Sequence, residues 1–132
     1  MNPVSEDIKD MLVDDSSLGL TFKEELFIGR EPDKEGNFVT IIDTPGGPPH
    51  LSMNKEYSDY YYPTIQVRIR NRLYREGMEL AQDIMASLHG RAHEEWNSTY
   101  YSLIRCSSGP APLDWDSHDR VIIVLNFEIQ RR

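Results

Sequence analysis

The chain has 132 residues, of which 39% are hydrophobic and 27% charged, and its formal net charge is −8. This length predicts one domain that buries its own core, and the composition is that of a soluble fold rather than a disordered chain. The acidic balance argues against a general DNA-binding surface, which needs clustered basic charge. No apolar run approaches the roughly 20 residues that span a bilayer, so we expect no membrane partner.

Cysteine usage and the N-terminus indicate where the protein folds. The single cysteine, Cys106, excludes an internal disulfide framework and is predicted to be a small packing residue. The opening MNPVSEDIKDML carries acidic side chains early and lacks the long apolar segment of a secretory signal. We therefore expect folding in a reducing cytoplasm.

The first third of the chain predicts one helix and two strands. Ser5–Asp14 is predicted to be a short amphipathic helix that Ser5 caps, and residues 1–17 are the N-terminal segment that docks it on the body. Short strands at Glu25–Gly29 and Phe38–Asp43 flank a turn-rich polar segment. This arrangement predicts a hairpin.

Residues 44–61 are irregular by composition. They begin with TPGGPP, where three prolines and two glycines stand within six residues. Such a stretch predicts a long loop rather than a helix or a central strand, and a loop this long in a compact domain is usually functional or disordered. Tyrosines crowd its end and can anchor the loop or a partner: Tyr57, Tyr60, Tyr61 and Tyr62.

Residues 60–90 give the clearest pattern, a strand, a turn and a helix. Ile65, Val67 and Ile69 alternate with polar residues, as in a half-buried strand. After Asn71, a predicted N-cap, apolar residues take helical spacing and end before Gly90, a predicted C′ residue. The predicted core stripe of the helix is Leu73, Gly77, Leu80, Ala81, Ile84, Met85 and Leu88.

The last third predicts two strands joined by a second long loop. The segments are a polar connection at His89–Asn97, a strand at Ser98–Cys106, a loop at residues 107–120 and a strand at Val121–Gln130. Tyr101 and Leu103 are predicted to share a face of the first strand, and Trp115 to anchor the loop. Alternate residues of the last strand are apolar, so it places one continuous face on the core.

The order of these elements predicts the fold class. Residues 1–132 are expected to form a single α+β domain with about five strands in a mostly antiparallel, mixed sheet. The helices are expected to pack on one face of the sheet. The crossover helix at Leu73–Leu88 allows one parallel pair of strands.

Residue patterns for catalysis or cofactor binding do not emerge. His89 and His93 have a spacing that binds metal on a helix, but Gly90 breaks the helix and no carboxylate or cysteine completes the site. Four more polar residues cluster in one predicted loop: Asp114, Asp116, His118 and Asp119. They lack the register and closing glutamate of a calcium site, so we expect a solvated turn. The sequence therefore predicts a protein that is not an enzyme, with no cofactor, no metal and no catalytic residues.

Several phrases of the sequence resemble one protein family. YPTIQVRIRN followed by YREGMELAQDIMASLHG is similar to the tail terminator proteins of long-tailed (siphovirus-type) bacteriophages, also known as minor capsid proteins. Three further segments resemble the same family: LFIGREPD, DTPGGPP and the closing LNFEIQRR. The resemblance covers about Leu26–Arg132. It rests on several short segments spread along the chain rather than on a catalytic motif.

The resemblance implies a structural virion protein. Tail terminators form a ring, typically a hexamer, that caps the tail tube, ends tube polymerisation and forms the tail side of the head–tail junction. The implied partners are further copies of the chain, the tail tube protein and a head-completion or neck protein, while DNA passes through the lumen without specific binding. The implied location is the virion, at the head–tail interface, after assembly in the host cytoplasm. Two other classes stay open: an acidic phage-encoded protein that inhibits a host factor, or another head–tail connector (neck) protein.

Two sets of residues are predicted to make these contacts. The partner and ring interface is predicted at Pro45, Gly46, Gly47, Pro48, Pro49, Tyr57, Tyr60, Tyr61 and Trp115. The acidic lining of the lumen is predicted at Glu24, Glu25, Glu31, Asp33 and Glu35. The whole net charge falls on residues 1–60, because residues 61–132 carry equal numbers of acidic and basic side chains. Negative charge in the lumen keeps DNA from adhering.

Overall fold

The computed structural model describes residues 1–51, 53 and 59–132. These residues form α1 (Val4–Asp14), β1 (Leu26–Ile28), β2 (Phe38–His50), β3 (Tyr60–Asn71), α2 (Tyr74–Leu88), β4 (Glu94–Trp96), β5 (Thr99–Trp115) and β6 (Val121–Arg131). The strands make one six-stranded sheet in the order β1-β2-β3-β6-β5-β4. β1 and β2 run parallel, and all other neighbours in this sheet run antiparallel. The predicted α+β class and the mixed, mostly antiparallel sheet are confirmed, with β4 as a strand inside the predicted polar connection.

One face of the sheet carries the core. Ile65, Val67 and Ile69 of β3 are fully buried, and so are alternate residues of β6 from Val121 to Phe127. Both helices pack on this face, α1 over β1 to β3 and α2 over β3, β5 and β6. The period-two patterns of β3 and β6 therefore predicted their faces correctly, because each strand has helices on one side alone.

α2 covers the sheet with one narrow stripe. Its buried residues are Gly77, Ala81, Ile84 and Leu88. Leu80, predicted to point into the core, lies half-buried at its margin. Leu73 is 56% exposed because it precedes the first helical turn and extends away from the core. Neither helix among the described residues has the length and apolar character needed to cross a lipid bilayer.

A side-chain hydrogen bond precedes α2, and a glycine with positive φ follows it. Asn71 is the last residue of β3, and its Oδ1 accepts a hydrogen bond from Leu73 N at 2.9 Å. The N-cap is therefore Leu73, and Asn71 holds the turn before the helix instead of capping it. At the other end, Gly90 follows the C-cap His89 with a φ of +89°, which confirms the predicted C′ glycine.

The start of α1 corrects the predicted capping residue. Pro3 is the N-cap, and Ser5 lies inside the helix. The backbone N and the Oγ of Ser5 both donate to the carboxylate of Asp43, at 3.1 and 2.6 Å. Ser5 therefore ties the helix to β2 rather than capping it.

A buried polar cluster joins α1 to the C-terminal strand. The fully buried Asp7 accepts hydrogen bonds from Tyr101 Oη and from Asn97 Nδ2, the latter at 2.6 Å. Arg131 Nη1 lies 3.7 Å from Asp7 Oδ2 and donates to the Asn2 carbonyl at 2.9 Å. Burial, and then the hydrogen bond to Asp7, raise the pKa of Tyr101 well above its usual value. The phenol therefore keeps its proton and donates a hydrogen bond to the carboxylate of Asp7.

The predicted hairpin of the first two strands is wrong. β1 and β2 pair in parallel, with Leu26 opposite Val39 and Ile28 opposite Ile41. Because β1 has three residues, residues 29–37 are long enough to return the chain to its starting end. The parallel pair is also not the one that the crossover helix allowed, because α2 connects β3 to β4, which are not neighbours.

Both predicted long loops contain strand extensions. β2 runs to His50 and pairs with the start of β3, although two register shifts interrupt it beyond Thr44. β5 runs to Trp115 beside β6 and contains four such shifts. Proline is tolerated here because β1 covers β2 only at residues 39–41, so the extension lies at a free edge. The rule against proline in central strands did not apply to these segments.

A bulge also corrects the predicted faces of β5. A register shift separates Tyr101 from Leu103, so Tyr101 and Ile104 are both fully buried while Leu103 is 40% exposed. The extra residue places Leu103 on the face opposite to Tyr101. Tyr101 and Leu103 therefore do not share a face.

Candidate interaction surfaces

Two strand segments pair beyond the core and form what we call the β2–β3 arm, residues 44–50 and 60–64. The hydroxyls of Thr44 and Thr64 lie 2.6 Å apart, and Thr64 Oγ1 donates to the Pro45 carbonyl at 2.8 Å. Beyond Thr44, every residue of β2 is exposed. The predicted interface residues at positions 45–49 thus lie on a paired but solvent-exposed arm.

The two glycines of the arm have different roles. A Cβ on Gly46 would lie 2.3 Å from the Tyr62 carbonyl oxygen and 2.8 Å from Pro63 Cα, both backbone atoms that cannot rotate away. A Cβ on Gly47 would lie 3.6 Å from Tyr62 Cβ, an ordinary contact. Gly46 therefore permits the close approach of the two strands, whereas Gly47 leaves open space beside Tyr62.

The tyrosines on the β3 side of the arm divide between the subunit and solvent. The guanidinium carbon of Arg132 lies 5.4 Å from the centre of the Tyr60 ring, a cation–π contact within the subunit. Tyr62 is half-buried, and Tyr61 is 39% exposed. Tyr57 lies outside the described residues. Tyr61 is thus the predicted interface tyrosine that most clearly offers its ring to a partner.

A groove of about 340 Å³ opens on the uncovered face of the sheet, between the arm and β5; we call it the sheet groove. It is lined by Gly47, Tyr62, Thr64, Leu103, Arg105, Glu128, Ile129 and Gln130. Arg105 and Glu128 form an ion pair across the strands, and Leu103 contributes an exposed apolar side chain. Half of the lining residues are polar or charged, so the groove combines apolar surface with groups that can form hydrogen bonds.

The end of β5 exposes its side chains on both faces of the sheet. From residue 107 to residue 115, only Pro110 is even half-buried. Leu113 and Trp115 are 61% and 54% exposed. The prediction that Trp115 anchors its own loop is wrong, because the segment is a strand and its indole lies at the surface. Exposed apolar side chains of this size mark interaction sites when they cluster.

The turn after β5 is organised around Asp116. Its carboxylate accepts hydrogen bonds from Arg120 Nε at 2.9 Å, from Arg70 Nη1 at 3.1 Å and from the backbone N of His118 at 3.0 Å. Burial by itself raises the pKa of Asp116, but the backbone N–H of Arg120, these hydrogen bonds and the charge of Arg120 outweigh it and lower that pKa. Arg120 also donates to the Gly36 carbonyl at 2.9 Å. The predicted solvated turn is therefore a rigid, charge-paired corner.

The acidic residues predicted to line a lumen occupy different environments. Three of them are exposed: Glu24, Asp33 and Glu35. Glu25 Oε1 accepts a hydrogen bond from the backbone N of Thr21 at 2.8 Å. Glu31 forms an ion pair with Arg70, and its side chain is 13% exposed, so its charge is balanced within the subunit. The lumen lining stays a prediction, resting on the other four residues.

The histidines bind local partners. His89 Nδ1 accepts a hydrogen bond from the backbone N of Cys106 at 2.9 Å, and His93 Nδ1 lies 2.5 Å from Tyr100 Oη. In the described part of the chain, no three His, Cys, Asp or Glu side chains gather in a way that would hold a metal ion. Burial raises the pKa of Cys106, so its thiol stays protonated.

Sequence reasoning missed the sheet groove. Its residues come together through the register of β5 and β6, in which Leu103 lies opposite Gln130 and Arg105 opposite Glu128. That register depends on the bulge after Tyr101, and the sequence pattern does not predict this bulge. The opposite charges of Arg105 and Glu128 on two predicted neighbouring strands were the available signal.

Comparisons with known proteins agree with this architecture. Residues 6–132 match the model of a family described as Bacteriophage tail terminator protein. A chain from a solved structure of the virion of a native gene transfer agent (GTA) particle is similar over 98% of this chain and 94% of that chain, with a TM-score of 0.68 and 12% identity. A second solved chain is similar over 96% of both chains, with a TM-score of 0.51 and 13% identity. A search of curated proteins gives no match. The structural likenesses show a shared fold.

Proposed function

Because the chain belongs to the bacteriophage tail terminator family, we propose that it caps the phage tail tube as a hexameric ring. The ring ends tube polymerisation and forms the tail side of the head–tail junction. The observation that carries this proposal is the family match over residues 6–132, nearly the whole fold. The similar chain from a virion particle adds support, because it places the same fold in a particle of this kind.

The sheet offers two different lateral edges, which a closed ring requires. β1 and the β2–β3 arm lie at one edge, and β4 with the end of β5 at the other. A head-to-tail contact that closes by rotation joins two such unlike surfaces. Prolines interrupt the free strand edges: Pro45, Pro48 and Pro49 on β2, Pro110 and Pro112 on β5. Because proline and bulges suppress strand addition, the ring contacts in this proposal run through side chains.

The proposal gives each partner a place. The tail tube protein binds one axial side of the ring, the head-completion or neck protein binds the other, and DNA crosses the lumen without specific binding. Exposed acids such as Glu24, Asp33 and Glu35 line the lumen and repel the phosphates. The ring assembles in the host cytoplasm and remains in the virion at the head–tail interface.

Electron microscopy of negatively stained protein, alone and mixed with purified tail tubes, tests the proposal. We expect closed six-membered rings, either free or seated on one end of a tube, and tubes without added protein are the control. Protein that stays monomeric in both samples contradicts the ring and favours the inhibitor of a host factor. Rings that form but leave the tube ends bare favour another head–tail connector.

A further inference from the structure

A row of side chains crosses the sheet at the end where β3 begins and β6 ends. Its middle members are Tyr60 of β3, Arg132 directly after β6 and Tyr100 of β5. The guanidinium carbon of Arg132 lies 5.4 Å from the centre of the Tyr60 ring and 4.9 Å from that of the Tyr100 ring. The backbones of Arg132 and Tyr100 also exchange two hydrogen bonds, at 2.9 and 3.0 Å. The middle of the row is therefore fixed by stacking and by the sheet itself.

The row continues onto both outer strands. His50 of β2 lies opposite Tyr60, and Glu95 of β4 lies opposite Tyr100. Opposite residues of antiparallel strands project from the same face of a sheet. This face is the uncovered one, because the neighbouring Tyr101 is fully buried on the core side. We call this set the end row: His50, Tyr60, Arg132, Tyr100 and Glu95.

The two outer members of the end row lie at opposite lateral edges of the sheet. β1 pairs with β2 only at residues 39–41, so β2 is the outermost strand at the level of His50. β4 is the last strand on the other side. Four strand spacings of about 4.8 Å separate His50 from Glu95, roughly 19 Å in all. The two side chains therefore cannot meet within one subunit.

Both outer side chains are exposed and lack a polar partner of their own. His50 contacts only the Tyr62 ring, at 6.4 Å between ring centres. Within the described residues, neither His50 nor Glu95 forms a hydrogen bond or an ion pair. Glu94, the neighbour of Glu95, is by contrast paired with Arg91. The end row thus presents a free imidazole at one edge and a free carboxylate at the other.

We propose that Glu95 of one copy accepts a hydrogen bond from the imidazole of His50 of the next copy, and that this contact sets the register between neighbouring subunits of the ring. The contact rests on the proposed function and gives its interface a residue-level form. Rotation about the ring axis brings the β4 edge of one copy to the β2 edge of the next, which is a heterologous contact. With the strands running along that axis, the end rows of successive copies join into one continuous belt.

Position and charge favour a second copy over a tube or neck protein. One chain carries both complementary groups at the same level and on the same face, so two copies match without a further partner. Pro48 and Pro49 precede His50 and remove two backbone donors from this edge, so side chains rather than strand pairing make the contact. A partly exposed pair contributes little energy by itself, but like charges placed there repel, so the pair selects the register.

Two charge variants test the contact. His50→Glu places a carboxylate at both edges, and Glu95→Lys places an ammonium group beside the imidazole. Each variant alone should raise the concentration needed for half-assembly at least about tenfold, measured by sedimentation velocity. The melting temperature should stay unchanged, because both side chains are exposed.

An equal mixture of these two variants gives the sharpest readout. Alternating copies place Glu95 against His50 at one contact and the introduced lysine against the introduced glutamate at the next. We therefore expect rings to form again near the wild-type concentration. The control mixes His50→Glu with Asp83→Lys, because Asp83 is exposed on α2, on the other side of the sheet. This second mixture should stay unassembled.

Chemical cross-linking gives a readout that does not depend on charge. In a Cys106→Ser background, His50→Cys and Glu95→Cys are combined and treated with a short bifunctional thiol reagent. We expect a ladder of linked species that ends at the hexamer on a denaturing gel. The control replaces Glu95→Cys with Asp83→Cys and should give no ladder.

The outcomes separate this contact from the proposed function. Single variants that assemble like the wild type, a mixture that fails to restore rings, or cross-links no stronger than the control overturn the contact while the capping function stands. Variants that form rings normally but no longer cap tubes show that the end row binds the tube, which overturns the second copy as its partner. A wild-type protein that neither forms rings nor binds tubes defeats the proposed function itself.

Discussion

Different interactions stabilise the helix-covered centre of the sheet and its two strand extensions. In the centre, Ile65, Val67 and Ile69 are fully buried because the strand has a helix layer on one side and polar contacts on the other. In the extensions, residues 44–50 and 107–115 form paired strands that are almost wholly exposed. Burial of apolar side chains fixes the centre, whereas backbone pairing fixes the extensions. The centre is thus the scaffold, and the exposed extensions are the surfaces that we propose bind partners.

Replacing residues 46–58 with a short Gly-Ser linker should separate the two regions most sharply. Because the centre does not rest on the arm, we expect a folded protein with nearly unchanged far-UV circular dichroism. Ring formation and tube capping should be lost, since the arm carries partner contacts in this account. Rings that persist would remove the arm from the interface, and a protein that fails to fold would make the arm part of the core.

Within the centre, Ile84→Ala should have the largest effect on stability. Ile84 is fully buried on α2, so the truncation should lower the free energy of unfolding by about 2–5 kcal/mol. Urea denaturation measures the change. Leu80→Ala on the same helix is the matched control, and its half-buried position predicts a loss of roughly 1 kcal/mol. Equal losses for the two variants would show that the register of α2 is wrong.

Within the arm, Gly46→Ala should act through the backbone. A methyl group there would push against the Tyr62 carbonyl and Pro63, so we expect a loss of about 1–3 kcal/mol and faster amide exchange in the arm. Gly109→Ala on the other extension is the control, because no atom lies within 4 Å of the added Cβ. Hydrogen exchange that leaves the arm unchanged in Gly46→Ala would contradict the close approach of its strands.

Asp116→Asn should destabilise the corner between β5 and β6 in a pH-dependent way. The pKa of Asp116 is lowered in the folded state, so its contribution is complete above the unfolded pKa, about 3.9, and is lost as the pH falls through the folded value. We expect a cost of about 1–3 kcal/mol at pH 7, because Arg120 loses a charged partner. The difference from wild type should shrink below about pH 4.

Asp119→Asn is the control for that corner. Asp119 is exposed in the same turn with a φ of +57°, which asparagine tolerates. Denaturation curves from pH 3 to pH 8 should overlay those of the wild type. A cost for Asp116→Asn that is the same at every pH would show that packing, rather than charge, holds the turn.

The same division between centre and extensions decides what the sequence can predict. The faces of β3 and β6 and the C′ role of Gly90 follow from local periodicity and from a single conformational need. The parallel pairing of β1 with β2 does not, because a three-residue strand carries no signal for its direction. The sequence did not predict that residues 44–50 form a strand, because proline is excluded from central strands. At a free edge, where this segment lies, proline is accepted. The sheet groove was hidden because Leu103 and Glu128 meet only through a bulged register.

The length of tail tubes polymerised in the presence of this protein tests its central role most directly. Purified tube protein is allowed to elongate with and without the wild-type chain, and with the arm replacement as a control, and tube lengths are measured on electron micrographs. The account predicts short tubes that carry a ring at one end with the wild type, and long uncapped tubes with the arm replacement. Tubes that grow to the same length in all three samples, with no ring at either end, would contradict it.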